Sequence, residues 1–406
     1  MQTQLSVAYR QRPEAQEAAS LIRKCVHCGF CNATCPTYQV LGDELDGPRG
    51  RIYLIKQLLE QGEVSRSTQQ HLDRCLTCLN CETTCPSGVQ FGSLVEIGRR
   101  LVDERVARPP GDRTQRWLLR ELLTSKLFAP AFALGQLLRP LLPRVLRDKV
   151  PARAASRTRP APKPQPQQVV MLSGCVQPSM LPGIDRAAVR VLAAAGIEVL
   201  FANGTACCGA LRTHLSDPLG GLDDMRRNVD AWTPYLAEPG VLAFVSSASA
   251  CALTLKNYAH ALREDPDYAP RAARIAARVQ DLSELLPRIV AVLKTRIHAD
   301  AARRVTFHPP CTLQHGQKLR GVETHLRELG FSVSTPPEAN LCCGSAGAYS
   351  ILEPAISATL RARKLINLAA TQPDVIISAN VGCIQHLQAG TPLPVRHWIE
   401  LIDEVL

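Results

Sequence analysis

Eight of the sixteen cysteines in this 406-residue chain fall in two short runs. Cys25, Cys28, Cys31 and Cys35 stand at intervals of three, three and four, and Pro36 follows. The same phrase returns as Cys75, Cys78, Cys81, Cys85 and Pro86. The spacing C-x2-C-x2-C-x3-C-P is that of a [4Fe–4S] site. Three thiolates two residues apart wrap one cube, and the fourth points away to a neighbouring cube. One cluster is therefore expected on Cys25, Cys28, Cys31 and Cys85. The other is expected on Cys75, Cys78, Cys81 and Cys35. Gly29 would let the backbone approach an inorganic sulfide and free amides to donate to it.

A pair of structural zinc knots is the bland alternative. Zinc sites normally use two C-x2-C pairs separated by a longer finger. Here the third and fourth cysteines follow at once, so iron is the better reading. The two copies lie too far apart for a compact β-rich ferredoxin. The insert RIYLIKQLLEQG carries Ile52, Leu54, Ile55, Leu58 and Leu59 at helical spacing. A further helix is expected around Ser67 to Asp73, leading into the second motif.

The remaining eight cysteines also form a repeat. VVMLSGCVQP ends on Cys175 and RVTFHPPCTLQ on Cys311. A helix, a glycine, a strand and a loop then lead to Cys207-Cys208-Gly209 and to Cys342-Cys343-Gly344. LAFVSSASAC closes on Cys251 and DVIISANVGC on Cys383, each an apolar strand running into a turn. Strands alternating with helices predict parallel α/β sheets. In such sheets ligands gather at the C-terminal strand ends. That would bring Cys175, Cys207, Cys208 and Cys251 together, and likewise Cys311, Cys342, Cys343 and Cys383. Each set could hold a cluster or other metal, or the two could pool for one. Gly209 and Gly344 would let the backbone turn beneath the metal. Buried core cysteines are the alternative, but matched strand-end positions in both halves speak against pure packing. His308, His315 and His386 flank these cysteines as candidates to support the ligands.

Between the two cysteine regions, FGSLVEIGRRLVDERVA reads as an amphipathic helix. The following apolar and basic stretch is expected to be helical and broken at Pro130, Pro140 and Pro143. It reads as a helical hairpin packing on the cluster domain or a partner, with a membrane surface as the alternative. PARAASRTRPAPKPQPQQ reads as an extended linker.

The whole chain is 46% hydrophobic and 20% charged, ordinary for a folded protein. No apolar run has the length of a membrane span. The N-terminus lacks the apolar region of a secretory signal, so a reducing cytoplasm is expected. There, sixteen cysteines point to metal and not to disulfides. The net charge of +11 admits nucleic acid, an anionic membrane face or an acidic protein as a contact. With only 4% aromatic residues there is no stock of stacking side chains, and no nucleic-acid partner is expected. No G-x-G-x-x-G follows a strand, and no phosphate loop is present.

The Cys-Cys-Gly (CCG) halves resemble the cysteine-rich domain of the heterodisulfide reductase, anaerobic glycerol-3-phosphate dehydrogenase and lactate-utilisation families. With two ferredoxin-type motifs ahead of them, the whole order resembles the iron–sulfur subunits of glycolate oxidases. CVHCGFCNATCPTYQVLGDELDGPRGRIYLIKQ and CLTCLNCETTCPSGVQFG carry that likeness most specifically. The fullest CCG pattern ends in C-x2-C and supplies five thiols per half. Here Thr254 and His386 stand at the fifth position, so each half offers four.

The expected fold is α/β. Residues 1–105 form a helical domain with two [4Fe–4S] clusters, 106–150 a helical connection and 151–168 a Pro-rich linker. Residues 169–300 and 301–406 form two cysteine-rich repeats, with one or two further clusters. The resemblance implies two flavoprotein-type partner subunits. Glycolate is oxidised to glyoxylate at their flavin, and electrons leave through the iron–sulfur subunit to a quinone-type or other acceptor. It implies no catalytic residue here. It places the chain in the cytoplasm, or peripherally on the cytoplasmic face of the inner membrane. A related lactate or glycerol-3-phosphate system, or a catalytic heterodisulfide-reductase-like protein, is the alternative.

Overall fold

A computed structural model describes residues 1–125, 127–141, 164–297 and 299–406. Pro143 and residues 151–163 of the expected linker lie outside the described residues. Gln167 and Gln168, the last two residues of that expected linker, already belong to the first strand.

The N-terminal region is helical. Its longer helices are Pro13–Arg23, Pro48–Gln61, Arg66–Asp73 and Phe91–Asp103. Pro13 and Pro48 occupy first-turn positions, where a missing N–H costs nothing. Gly62 closes the second helix with a left-handed φ of 73°. Ile22, Ile55, Leu58, Leu59, Leu94 and Val95 from these helices form one apolar core. Cys25, Cys75 and Cys81 border that core, so the thiols are presented from a packed scaffold.

Helices Pro110–Thr124 and Phe128–Leu137 follow, then a short 3₁₀ turn at Arg139–Leu141. The helical segment is interrupted between Thr124 and Phe128, just ahead of Pro130. Pro130 itself lies in the first turn of Phe128–Leu137, where its N–H would have no helical acceptor. Trp117, Leu118, Leu134, Leu137 and Leu141 of these elements are exposed.

The C-terminal part contains two four-stranded parallel sheets. The first comprises β1 (Gln167–Met171), β2 (Ile197–Leu200), β3 (Val241–Ser246) and β4 (Val279–Asp281). The second comprises β5 (Arg304–Phe307), β6 (Ser332–Ser334), β7 (Val375–Ser378) and β8 (Val395–His397). Their orders are β2-β1-β3-β4 and β6-β5-β7-β8, the same arrangement twice. Val169 pairs with Val199 on one side and Ala243 on the other. Val305 pairs with Val333 and Val375 in the matching way.

One core serves both repeats. Val169, Val245 and Ile289 of the first share it with Phe307, Ile377 and Trp398 of the second. Arg190 and Asp403 make a bidentate ion pair across the repeats, with both contacts at 2.6 Å. No helix among the described residues is long and apolar enough to cross a membrane.

Candidate metal centres

The two N-terminal motifs are built alike. Cys25 and Cys75 each follow a helix, and each amide still donates to a helical carbonyl, of Ile22 at 2.9 Å and of Leu72 at 3.2 Å. The chain then makes two left-handed kinks. They fall at His27 (φ 61°) and Gly29 (φ 85°) in the first motif, and at Thr77 (φ 51°) and Leu79 (φ 62°) in the second. Short helices Phe30–Ala33 and Asn80–Thr84 then carry Cys31 and Cys81. Left-handed non-glycine residues are costly and gather where function requires them. Such kinks turn successive amides to one side and form an anion-binding hollow. A Cβ at Gly29 would lie 2.8 Å from a guanidinium nitrogen of Arg49, the end of a flexible side chain that can move aside, so the left-handed φ is what favours glycine there.

The thiols gather across the motifs. Burial pushes the Cys31 thiol up to about 11, and Cys25, Cys28 and Cys85 add to the rise. Burial likewise drives Cys81 well above the ordinary thiol range, with contributions from Cys78, Cys75 and Cys35 and a last one from Cys31. Thus Cys85 stands among the thiols of the first motif, and Cys35 among those of the second. A cavity lies at the first group, lined by Cys25, Cys28, Cys31 and Cys85, with Cys81 of the second group, Ile52 and Val89 beside them.

Each C-terminal set converges at its own strand ends. Cys175 follows β1, Cys207 and Cys208 follow β2, and Cys251 follows β3. The crevice between β1 and β3 is where the strand order reverses, the usual place for a ligand in such sheets. Cys207 meets Cys175 and Cys208, and their thiols pull it well below the ordinary thiol range. Cys208 also meets Cys251. In the second repeat the contacts run Cys311 to Cys342, Cys342 to Cys343, and Cys343 to Cys383. The dominant thiol neighbours of each set come from its own repeat, which makes two separate groups of four. Cys251 and Cys383 sit in the first turns of helices Ser249–Lys256 and Val381–Gln388, not in turns.

The glycines of the CCG loops have a second role besides the turn. Gly209 and Gly344 have φ of 94° and 89°. A Cβ on either would lie 2.7 Å from the Gly221 carbonyl or 2.6 Å from that of Ser357. They let the helices Pro218–Trp232 and Pro354–Ala369 press against the loops.

The two repeats differ behind those loops. In the first, Asn228 accepts the Ala206 N–H at 2.7 Å and donates to the Cys207 carbonyl at 2.8 Å. In the second, buried Lys364 donates to the Glu338 carbonyl at 2.6 Å, with Cys311, Cys342 and Cys343 among its charge neighbours. Neither residue was picked out from the sequence. Lys364 had a readable signal, since Ile356, Leu360, Lys364 and Leu368 form one buried stripe at four-residue spacing.

His315 contacts Thr83 at 2.9 Å and the Asn340 carbonyl at 2.8 Å, tying the cluster domain to the second repeat. His386 contacts Ser357 at 3.3 Å. His308 lies with Cys343 and Cys383, their ligand atoms all within 4.8 Å of one another. Asp43, Asp46 and His71 form another such group. Asp46 is already matched by Arg51, His71 and Arg74, so this group reads as an ion-pair hub.

The second motif abuts the second repeat. Cys78 packs against Leu76, Cys311, Cys342 and Tyr349. The Tyr349 hydroxyl donates to the Arg74 carbonyl at 2.9 Å. All sixteen thiols are free, most are buried, and they occur in groups of four. Thiols this crowded cannot all ionise without a cation, and iron with sulfide supplies that compensation. The donor sets fit iron–sulfur clusters.

The fold and thiol groups define an iron–sulfur protein with a two-cluster domain followed by a duplicated cysteine-rich domain. Family models agree: a 4Fe-4S dicluster domain matches residues 21–89, and a cysteine-rich domain matches 169–256 and 305–388. The chain is 47% identical to the glycolate oxidase iron-sulfur subunit of Escherichia coli (strain K12), over all of this chain and 99% of that protein. It is 27% identical to the probable glycolate oxidase iron-sulfur subunit of Bacillus subtilis (strain 168), over 95% of this chain and 92% of that one. Lactate utilization protein A of Bacillus licheniformis is 28% identical, over 58% of this chain and 99% of its own length. The chain belongs to the family of glycolate oxidase iron-sulfur subunits. Its iron–sulfur domains fit electron transfer within an oxidoreductase complex, and subunit status implies partner subunits.

Proposed function

We propose that this chain carries single electrons from a flavin on two partner subunits, where glycolate becomes glyoxylate, to a quinone-type acceptor. The observation that carries this reading is that Cys78 packs against the apolar cluster holding Cys311 and Cys342 and is a charge neighbour of both. It makes a continuous series of thiol groups. The first is Cys25, Cys28, Cys31 and Cys85, the second Cys75, Cys78, Cys81 and Cys35, and the third Cys311, Cys342, Cys343 and Cys383. We assign a [4Fe–4S] cluster to each of the first two groups and a further iron–sulfur centre to the third. Cys175, Cys207, Cys208 and Cys251 form an additional metal site in the first repeat.

Bound clusters supply one-electron steps at potentials spanning roughly −700 to +450 mV. The protein's part is to hold, bury and tune them. The Thr77 amide donates to Cys75 Sγ at 3.4 Å, and the Gly344 amide to Cys342 Sγ at 3.4 Å. Asn380 donates to Cys383 Sγ at 3.5 Å. Such donors stabilise negative charge on sulfur and raise a cluster's potential. Arg99 donates to the carbonyls of Leu72 at 2.8 Å and Cys75 at 2.5 Å, fixing the entry to the second motif.

The test is a double variant, Cys342→Ser with Cys343→Ser, in the assembled complex. It should keep the paramagnetic signals of the two N-terminal clusters and permit flavin reduction by glycolate. Electron delivery to the acceptor should be lost. Full acceptor reduction by that variant would refute the path.

A further inference from the structure

We propose that His308 ligates the iron centre of the second cysteine-rich repeat through an imidazole nitrogen, beside Cys343 and Cys383. The inference rests on the reading that this repeat holds an iron–sulfur centre.

Five histidines are buried among the described residues: His71, His308, His315, His386 and His397. Four have polar partners. His71 meets Asp46, His315 meets Thr83 and the Asn340 carbonyl, and His386 meets Ser357. His397 meets the Ser247 carbonyl and the Ile399 amide. His308 is 0% exposed, and neither ring nitrogen has a hydrogen-bond partner. Leaving one buried polar group unsatisfied costs about 1–3 kcal/mol. Buried imidazoles with no partner are rare, and a metal ion is one of the few things that answers them.

The ring is also aimed. The His308 amide donates to the Ile377 carbonyl at 2.7 Å, and its carbonyl accepts from the Ser378 hydroxyl at 2.9 Å. The residue is thus pinned on the β7 side at the end of β5, and Pro309 and Pro310 stiffen the exit toward Cys311. Its nitrogen and the sulfurs of Cys343 and Cys383 lie within 4.8 Å of one another. That spread suits ligands of one iron, with bonds of about 2.0–2.3 Å after modest closure.

The first repeat lacks this donor. Leu172 precedes Cys175 by three residues, as His308 precedes Cys311. The second repeat therefore has five donors and the first has four. Lys364 adds a buried cation to the second site where Asn228 stands in the first. Replacing a thiolate ligand by neutral imidazole raises the potential of an iron–sulfur centre.

The test uses the full chain, purified anaerobically, with iron and sulfide counted and nitrogen couplings read by pulsed electron paramagnetic resonance. Iron should exceed the two N-terminal cubes, and a strongly coupled nitrogen should vanish when histidine is labelled with ¹⁵N and a ¹⁵N coupling should replace it. His308→Leu, which copies the first repeat, should abolish the coupling. His308→Cys should abolish it while keeping the iron and lowering that centre's midpoint potential, which separates ligation from loss of folding. A second-repeat iron centre with no strongly coupled histidine nitrogen overturns the proposal alone. Iron confined to the two N-terminal cubes, or zinc in the second repeat, overturns the proposal together with the reading it rests on.

Discussion

Leu79 holds a φ of 62° where the first motif has Gly29 at 85°. The kink is therefore imposed by the loop and not granted by glycine. What the spacing of cysteines encodes is a backbone path, and Leu79 accepts a cost on the order of 1 kcal/mol to follow it. The fourth cysteine of each motif tests that path. Replacing Cys35 by Ser should alter the paramagnetic signal of the cluster on Cys75, Cys78 and Cys81. Perturbation of only the cluster on Cys25, Cys28 and Cys31 would mean that each motif is self-contained. Cys35 is itself held from behind. Thr37 Oγ1 donates to the Asp46 carbonyl at 2.7 Å, and the Asp46 carboxylate meets Arg51, His71 and Arg74 at 3.4, 3.1 and 3.0 Å. Asp46 is 0% and Arg51 1% exposed. Removing one partner of a buried ion pair strands the other, at about 3–5 kcal/mol. Asp46→Ala should lower the thermal midpoint by several degrees and hasten iron loss from the second cluster. An unchanged midpoint would show that the hub is redundant.

The strands and helices that carry the cysteines were legible because each follows a periodic apolar run: β1, β3, β5 and β7 are nearly all buried. The edge strands β4 and β8 were not. Val279–Asp281 and Val395–His397 have three residues each, too few to show a period, and unlike the equally short β6 neither leads into a cysteine. Yet β8 ends on His397, which joins the repeats. Its Nε2 donates to the Ser247 carbonyl at 2.9 Å, and its Nδ1 accepts from the Ile399 amide at 3.1 Å. Burial pulls its pKa from 6.5 down to about 3. A depressed folded-state value means that the neutral ring stabilises the fold above the unfolded pKa. That stability is lost as pH falls from about 6.5 toward 3, at about 1.4 kcal/mol per pH unit. Between about pH 7.5 and about pH 5.5 the thermal midpoint should therefore fall, and His397→Gln should flatten the slope. An unaltered slope in that variant would assign the acid sensitivity elsewhere. The sequence could place a histidine near the C-terminus, but not its partner on the other repeat 150 residues away.

At the scale of the molecule, the cysteine spacing predicts which thiols form each group, while the order of the groups came only from docking. Nothing in the sequence says that the second motif meets the second repeat, because the contact joins side chains on loops far apart in the chain. Asn80 is the clearest case. Buried at 2% exposure just before Cys81, its Nδ2 donates to the Thr34 carbonyl at 3.0 Å and the Asn340 carbonyl at 3.2 Å. One amide thus links the residues preceding Cys35, Cys81 and the Cys342-Cys343 pair. Asn80→Ala would remove this donor from both carbonyls, at about 0.5–1.5 kcal/mol per lost hydrogen bond, while the Asn340 carbonyl keeps its contact with His315. The ligands themselves are untouched, so iron content and the signals of both N-terminal clusters should persist. What should change is communication. In the assembled complex, glycolate should still reduce the two N-terminal clusters, while reduction of the second-repeat centre slows, because the loops bearing Cys78 and Cys342 are no longer held together. Rapid-freeze resonance spectroscopy after mixing with glycolate would read the two steps separately. If both proceed at the wild-type rate, Asn80 serves folding alone, and the approach of Cys78 to Cys311 and Cys342 is maintained by the packing of Leu76, Tyr349 and Leu360.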